Sequence, residues 1–183
     1  MKVKPTALPE VLLIQPKVFA DERGHFLETW FAPRYRDIGI VESFVQDNFS
    51  RSTRNVLRGL HFQEPMGQGK LITVLAGTIY DVVVDIRVDS PRFRQWIGVE
   101  LDGAVPTQLW IPPGFAHGFC VMSESADFMY KCTEIYTPAA ERSIRWNDPE
   151  LRIKWPIDTP ILSTRDNAAP LLMDAPLLPR MSV

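Results

Sequence analysis

The stretch Leu71-Ile72-Thr73-Val74-Leu75-Ala76-Gly77-Thr78-Ile79-Tyr80-Asp81-Val82-Val83-Val84-Asp85-Ile86-Arg87-Val88 decides the fold class. It holds two runs rich in β-branched residues, 71–76 and 78–88, on either side of a single glycine. Such residues lose rotamer freedom in a helix and fit a pleated surface, so both runs read as strands joined by a tight turn. Working outward, the pattern returns at 96–101, 108–111, 115–122 and 127–136. Sixteen prolines and ten glycines cut the chain between these runs. Many short strands with frequent turn signals describe an all-β sandwich or barrel. No helical period is long enough for an α/β layer. Short helices are expected only at 32–38 and near 149–153.

A chain of 183 residues suits a single domain with a sizeable core. That domain is expected to span the whole chain, with its core at about 10–167 and residues 168–183 as an extended arm on the surface. The formal charge is −2, from 20 Lys and Arg against 22 Asp and Glu. With no global basic field to hold nucleic acid, an anion must be caught by a local cluster. The run Val11-Leu12-Leu13-Ile14 is too short for a signal-peptide core, and no segment approaches membrane-spanning length. The expected location is the cytoplasm. Cys120 and Cys132 form no metal knuckle or disulfide framework and read as reduced, buried thiols, with a structural disulfide as the minor alternative.

Strand parity identifies the side chains that share a face. Lys70 is in register with Ile72 and Val74, and His117 with Phe115, Phe119 and Val121. Tyr130 is in register with Phe128 and Cys132, and Gln46 and Asn48 share a face with Phe44. A lysine, a histidine, a tyrosine and two amides therefore point where apolar residues point. Inward polar groups need partners or a ligand, so the barrel is expected to hold a polar, anion-tolerant pocket. In 56–63, Leu57, Gly59, His61 and Gln63 alternate with Val56, Arg58, Leu60 and Phe62, and parity does not decide which set faces inward.

His61 titrates near neutrality as a residue type, so it can take a proton and return it. A lone histidine in a strand is more often a satisfied core residue, but the flanking Arg58-Gly59 suits an oxyanion or phosphate. Lys70, if inward, can stabilise an enolate oxygen beside a ketone. Tyr130 is either core packing or a general acid opposite His61; as a residue type it is protonated at neutral pH. Asp166 alone reads as a turn residue, but a contact with His61 would fix the imidazole tautomer and stabilise the imidazolium. Arg23, in a second Arg-Gly pair, is either a solvated turn charge or a clamp with Arg58 on a diphosphate. His117 reads as pocket-lining. No Gly-rich phosphate loop precedes a helix, and no Gly-x-Ser-x-Gly elbow is present. His61 is followed by Phe62 and Gln63, so there is no His-x-His ligand pair and no metal is expected.

Several motifs occur in order: Phe19-x-Asp21-x-Arg23-Gly24-x-Phe26-x-Glu28, Gln46-Asp47-Asn48-x-Ser50, Leu57-Arg58-Gly59-Leu60-His61-x-Gln63, Gln68-Gly69-Lys70-Leu71, Asp81-Val82-Val83-Val84-Asp85-Ile86-Arg87, Pro112-x-Gly114-Phe115-Ala116-His117-Gly118-Phe119 and Tyr130-Lys131-Cys132. From about Phe19 to Asp166 the sequence resembles the dTDP-4-dehydrorhamnose 3,5-epimerase family. The resemblance implies a jelly-roll barrel of the cupin superfamily, a homodimer sharing N-terminal strands, and neither metal nor organic cofactor. It implies that His61 is the general base, Asp166 its supporting carboxylate, Tyr130 the acid on the other face of the sugar, and Lys70 the residue near the C4 oxygen. Arg23, Glu28, Gln46, Asp47, Asn48, Arg58, His117, Tyr136, Glu141 and Arg165 match positions that contact the nucleotide diphosphate or line its site. The family usually has lysine at Arg165, so charge is kept while geometry changes.

The expected reaction is epimerisation at C3 and C5 of dTDP-4-dehydro-6-deoxy-D-glucose through an enolate. A single-centre epimerase, a sugar-nucleotide binding module without turnover and a metal-dependent cupin are the alternatives. The substrate is the expected small-molecule partner, and neither nucleic acid nor a membrane is expected.

Overall fold

The computed structural model describes residues 1–181, so Ser182 and Val183 of the expected 168–183 arm lie outside the described residues. The elements in chain order are β1 (Lys2–Pro5), β2 (Leu12–Gln15), β3 (Val18–Asp21), β4 (Gly24–Leu27), α1 (Ala32–Arg36), β5 (Gln46–Thr53), β6 (Leu57–Gln63), β7 (Lys70–Ala76), β8 (Thr78–Asp85), β9 (Trp96–Asp102), β10 (Gln108–Ile111), β11 (Phe115–Val121), β12 (Ser125–Cys132), β13 (Glu141–Ser143) and α2 (Thr164–Asn167). Each of the six runs expected as strands contains one, although β8 stops at Asp85 and β12 at Cys132, short of the expected 88 and 136, and the early helix is α1.

One sheet has the order β1-β2-β10-β7-β12-β5 and the other β13-β6-β11-β8-β9; β3 and β4 make a separate hairpin. Strands β5 to β12 divide between the two main sheets as β5-β12-β7-β10 facing β6-β11-β8-β9, with only β8 and β9 consecutive in one sheet. That is the jelly roll of the cupin fold, with every ladder antiparallel.

The run Val82-Val83-Val84 is unbroken because β8 is covered on both faces. Ile79 and Val83 point inward, beside Ile72, Leu109, Phe119 and Phe128. Val82 and Val84 point outward into a second cluster with Leu60, Phe62, Ile144, Leu151 and Leu172. A strand buried on both sides has no polar face to alternate with. A third cluster packs Tyr35 of α1 and Ile40 over Ile14, Leu71 and Trp110. At ~25 cal/mol per Å² of buried apolar surface, these covered outer faces stabilise the sheets as the inner core does.

One expectation needs correction. Residues 149–151 form a turn and 152–153 have no regular structure, so there is no helix here. The buried Asp148 carboxylate accepts the backbone N–H groups of Glu150, Leu151 and Leu172, which ties this stretch to the C-terminal segment instead of to a helical ladder. The C-terminal stretch packs on the surface of the barrel. It forms a 3-10 turn at Leu172–Asp174, and its Leu172 is buried at 2% exposure against the outer face of the β6-β11-β8 sheet.

Candidate active site

One end of the barrel interior is left open as a cavity of two lobes, about 310 and 510 Å³, which share His61, Lys70 and Tyr130. Lys70 starts β7 and Tyr130 lies on β12, both in the six-stranded sheet, whereas His61 lies on β6 in the facing sheet. Base and acid candidates therefore stand on opposite walls.

The ambiguity in β6 is resolved by a register slip. His61 pairs with His117 and Arg58 with Phe119, so Gly59 and Leu60 together oppose the single Gly118. This bulge puts two residues against one and resets the alternation. Arg58 and His61 consequently both reach the 510 Å³ lobe, while Leu60 and Phe62 turn outward into the second cluster. Gly59 makes the slip possible. Its φ is +126°, and a Cβ there would sit 2.5 Å from the Gly118 Cα.

The His61 Nε2 lies 2.5 Å from Asp166 Oδ1. Ser163 orients the carboxylate: its hydroxyl donates to Asp166 Oδ2 at 2.9 Å and accepts from the Asp166 N–H at 3.0 Å, capping α2. Asp166 is 3% exposed. Burial by itself would raise its carboxyl, but the hydrogen bonds from His61 and Ser163 outweigh that and hold it below the usual carboxylate range. The dyad fixes the ring and leaves its second nitrogen for a ligand.

Burial lowers the Lys70 ammonium from its ordinary value, with Cys132, Glu141 and Asp81 opposing the shift. Burial also raises the Tyr130 phenol, so it is a proton donor at neutral pH. His117 forms a second pair, its Nε2 2.8 Å from Asp81 Oδ2. Asp81 is fully buried, and burial raises its carboxyl against the pull of His117 and Lys70. The sequence reading passed over Asp81, Ser163 and Ser52, whose hydroxyl accepts from Arg58 Nε at 3.1 Å. Asp81 was within reach of the same parity argument, since it shares a face with Ile79 and Val83 as Lys70 does with Ile72 and Val74.

Gln46, Asn48, Tyr136 and Glu141 line the 310 Å³ lobe and His117 the other. Arg165 sits at the rim in an ion pair with Glu141. Three expected contacts are not brought to the cavity by this chain. Asp47 points away from it and pairs with Lys131 at 2.8 Å, because its strand neighbours Gln46 and Asn48 take the inward positions. Arg23 is 85% exposed on the β3–β4 hairpin and pairs with Asp21, two residues away. Glu28 pairs with Arg34 of α1.

Facing walls of this kind let a proton leave one side of a bound carbon and return on the other, which places the protein among acid–base isomerases built on a cupin barrel. The family model described as dTDP-4-dehydrorhamnose 3,5-epimerase matches residues 5–174. A Salmonella typhimurium dTDP-4-dehydrorhamnose 3,5-epimerase is 52% identical over 96% of this chain and 97% of its own length. The Legionella pneumophila dTDP-6-deoxy-D-glucose-3,5-epimerase, solved in complex with dTDP-4-keto-L-rhamnose, superposes with a TM-score of 0.95 at 53% identity, covering 100% of this chain and 99% of that one. A Streptomyces niveus dTDP-4-dehydrorhamnose 3-epimerase is 41% identical over 98% of this chain and 89% of its own length. The chain belongs to the dTDP-4-dehydrorhamnose 3,5-epimerase family and is an isomerase.

Proposed function

We propose that the protein inverts C3 and C5 of dTDP-4-dehydro-6-deoxy-D-glucose, giving dTDP-4-dehydro-L-rhamnose. The observation that carries this reading is the placement of the His61–Asp166 pair opposite Tyr130 across one cavity, with Lys70 lining it on the same sheet as Tyr130. The C4 ketone acidifies the protons on C3 and C5. His61 removes one, and the charge moves to the C4 oxygen, where the Lys70 ammonium stabilises it. Tyr130 then donates a proton to the opposite face and inverts the centre. A change in ring pose presents the second carbon to the same pair. The ketone supplies the acidity, so this route asks for no organic cofactor.

Arg58, held by Ser52, offers a guanidinium to the diphosphate. Tyr136, Glu141 and Arg165 at the other lobe suit the nucleoside end. Arg23 and Glu28 are assigned to the site of a second copy. Two features support a dimer that shares N-terminal strands. The β3–β4 hairpin stands apart with Phe19 and Phe26 48% and 65% exposed, and the eight-residue β5 is an uncovered sheet edge. The proposed location is the cytoplasm, where soluble nucleotide sugars are made; no described helix is long and apolar enough to cross a membrane.

A reading limited to C3 is favoured by the Streptomyces niveus relative, which carries a 3-epimerase name. Incubation with dTDP-4-dehydro-6-deoxy-D-glucose in D₂O, followed by NMR, separates the two. Deuterium at C3 and C5 establishes the double epimerase, and deuterium at C3 alone establishes the single one. Binding without exchange at either carbon removes the enzymatic reading.

A further inference from the structure

The segment from Glu134 to Thr137 carries Tyr136 to the mouth of the cavity without belonging to a strand or helix. Backbone polar groups in such a segment still need partners. Three glutamine side chains supply them. Gln68 Nε2 donates to the Glu134 carbonyl at 2.7 Å. Gln63 Nε2 donates to the Ile135 carbonyl at 3.2 Å, and Gln63 Oε1 accepts from the Thr137 N–H at 2.9 Å. Gln46 Oε1 accepts from the Tyr136 N–H at 2.9 Å.

These glutamines come from different places. Gln46 begins β5, Gln63 ends β6 in the facing sheet, and Gln68 precedes β7. The segment is therefore fastened to both walls of the barrel at once. Gln63 is 5% exposed, and its amide also donates to the Met66 carbonyl at 2.7 Å, so its orientation is fixed. Beyond the backbone, the Tyr136 hydroxyl donates to Glu141 Oε2 at 2.5 Å. Tyr136, 44% exposed, is thus held both at its backbone and at its hydroxyl.

We infer that Gln46, Gln63 and Gln68 form a clamp that presets Tyr136 for the nucleoside end of the ligand, with Gln63 as its central positioning residue. The inference rests on the proposed nucleotide-sugar site. Its physical logic is preorganisation: a platform fixed before binding saves the ligand the ordering of a loop. The effect should fall on affinity and not on proton transfer, because no clamp bond touches His61, Lys70 or Tyr130.

The test is Gln63→Met, close in size but unable to make any of the three bonds. The expected result is a rise of about tenfold in both KM for the dTDP-sugar and the calorimetric Kd for dTDP, with kcat changed less than about threefold. In a Tyr136→Ala background, Gln63→Met should add less than about twofold, since both changes remove the same platform. Unchanged Kd and KM, or effects that multiply in the double variant, overturn the inference. If Gln63→Met does not fold, Gln68→Met, which loses a single bond, takes its place, with a smaller rise expected in the same two constants and no change in either overturning the inference. A wild-type protein that binds dTDP but exchanges no proton overturns the catalytic reading alone, and the Kd comparison still decides the clamp.

Discussion

Arg58 and His61, three residues apart on one strand, face the same cavity because two residues of β6 oppose one residue of β11 between them. An unbroken strand would place them on opposite faces. The proposed anion-binding guanidinium and the proposed base therefore depend on Gly59. Replacing Gly59 by alanine sets a Cβ 2.5 Å from Gly118 Cα and 2.8 Å from the His117 carbonyl, at a φ that alanine tolerates poorly. We expect a loss of about 2 kcal/mol or more in stability and a larger loss of turnover, since relief by realternation swings one of the two residues out. Thermal melts and the D₂O exchange assay check both, and a fully active, equally stable variant refutes the role given to the bulge.

His61→Ala and Tyr130→Phe should fail at different steps. The first lacks the base and should lose solvent exchange at both carbons, by about 10²–10⁴-fold. The second can still form the enolate and should exchange deuterium without inverting the centre. NMR of the recovered sugar distinguishes them, and undiminished epimerisation in either variant takes that residue out of the mechanism.

Asp166→Asn tests the dyad and the acid limb of stability together. The Asp166 carboxyl is held below its unfolded value of about 3.8, so its pairing stabilises the fold above that pH. The contribution disappears as pH falls through the lower folded value. The asparagine variant should therefore be less stable than wild type at neutral pH, and the difference should shrink in acid. It should also turn over about tenfold or more slowly, because the imidazole loses the group that fixes its tautomer. Denaturant melts across pH 2–7 show whether the two stability curves converge.

Lys70, the proposed holder of the enolate charge, sits partly buried at a cost to folding. Burial depresses its pKa, so between the folded value and about 10.5 the unfolded chain binds the extra proton and stability climbs with pH. Lys70→Met should remove that alkaline rise and melt no lower than wild type at pH 7, while kcat falls by about 10² or more. A variant that melts well below wild type would mean that Lys70 chiefly supports the buried Asp81.

The proposed sharing of the β3–β4 hairpin between subunits predicts complementation. His61→Ala and Arg23→Ala proteins, each impaired alone, should regain activity when dissociated and reassembled together. A heterodimer has one site built from an intact cavity and an intact hairpin, so random pairing restores about a quarter of the wild-type sites. No recovery in mixtures shown to exchange subunits refutes donation of Arg23 across the dimer.

The strands were readable because alternation and β-branching report directly on a pleated surface, and the inward polarity of Lys70, His117 and Tyr130 followed from the same period of two. Residues 56–63 were not readable, since a bulge breaks that period and leaves no local mark beyond a glycine. At 149–153 the Asp148 carboxylate takes the N–H groups of Glu150 and Leu151 and is anchored by the Leu172 N–H, a tie across 24 residues that the local sequence does not show. The dyad joins residues 105 positions apart, a proximity that no spacing within either motif encodes. Arg23 and Glu28 carry a resemblance to site residues, yet nothing in one chain brings them there.

That long reach between His61 and Asp166 also sets an order of events during synthesis. Every strand of both sheets leaves the ribosome before the carboxylate that steadies the imidazole does. The walls of the cavity are thus specified by chain already made when the carboxylate proposed to steady the imidazole is still to come, so the proposed tuning of the base follows the architecture.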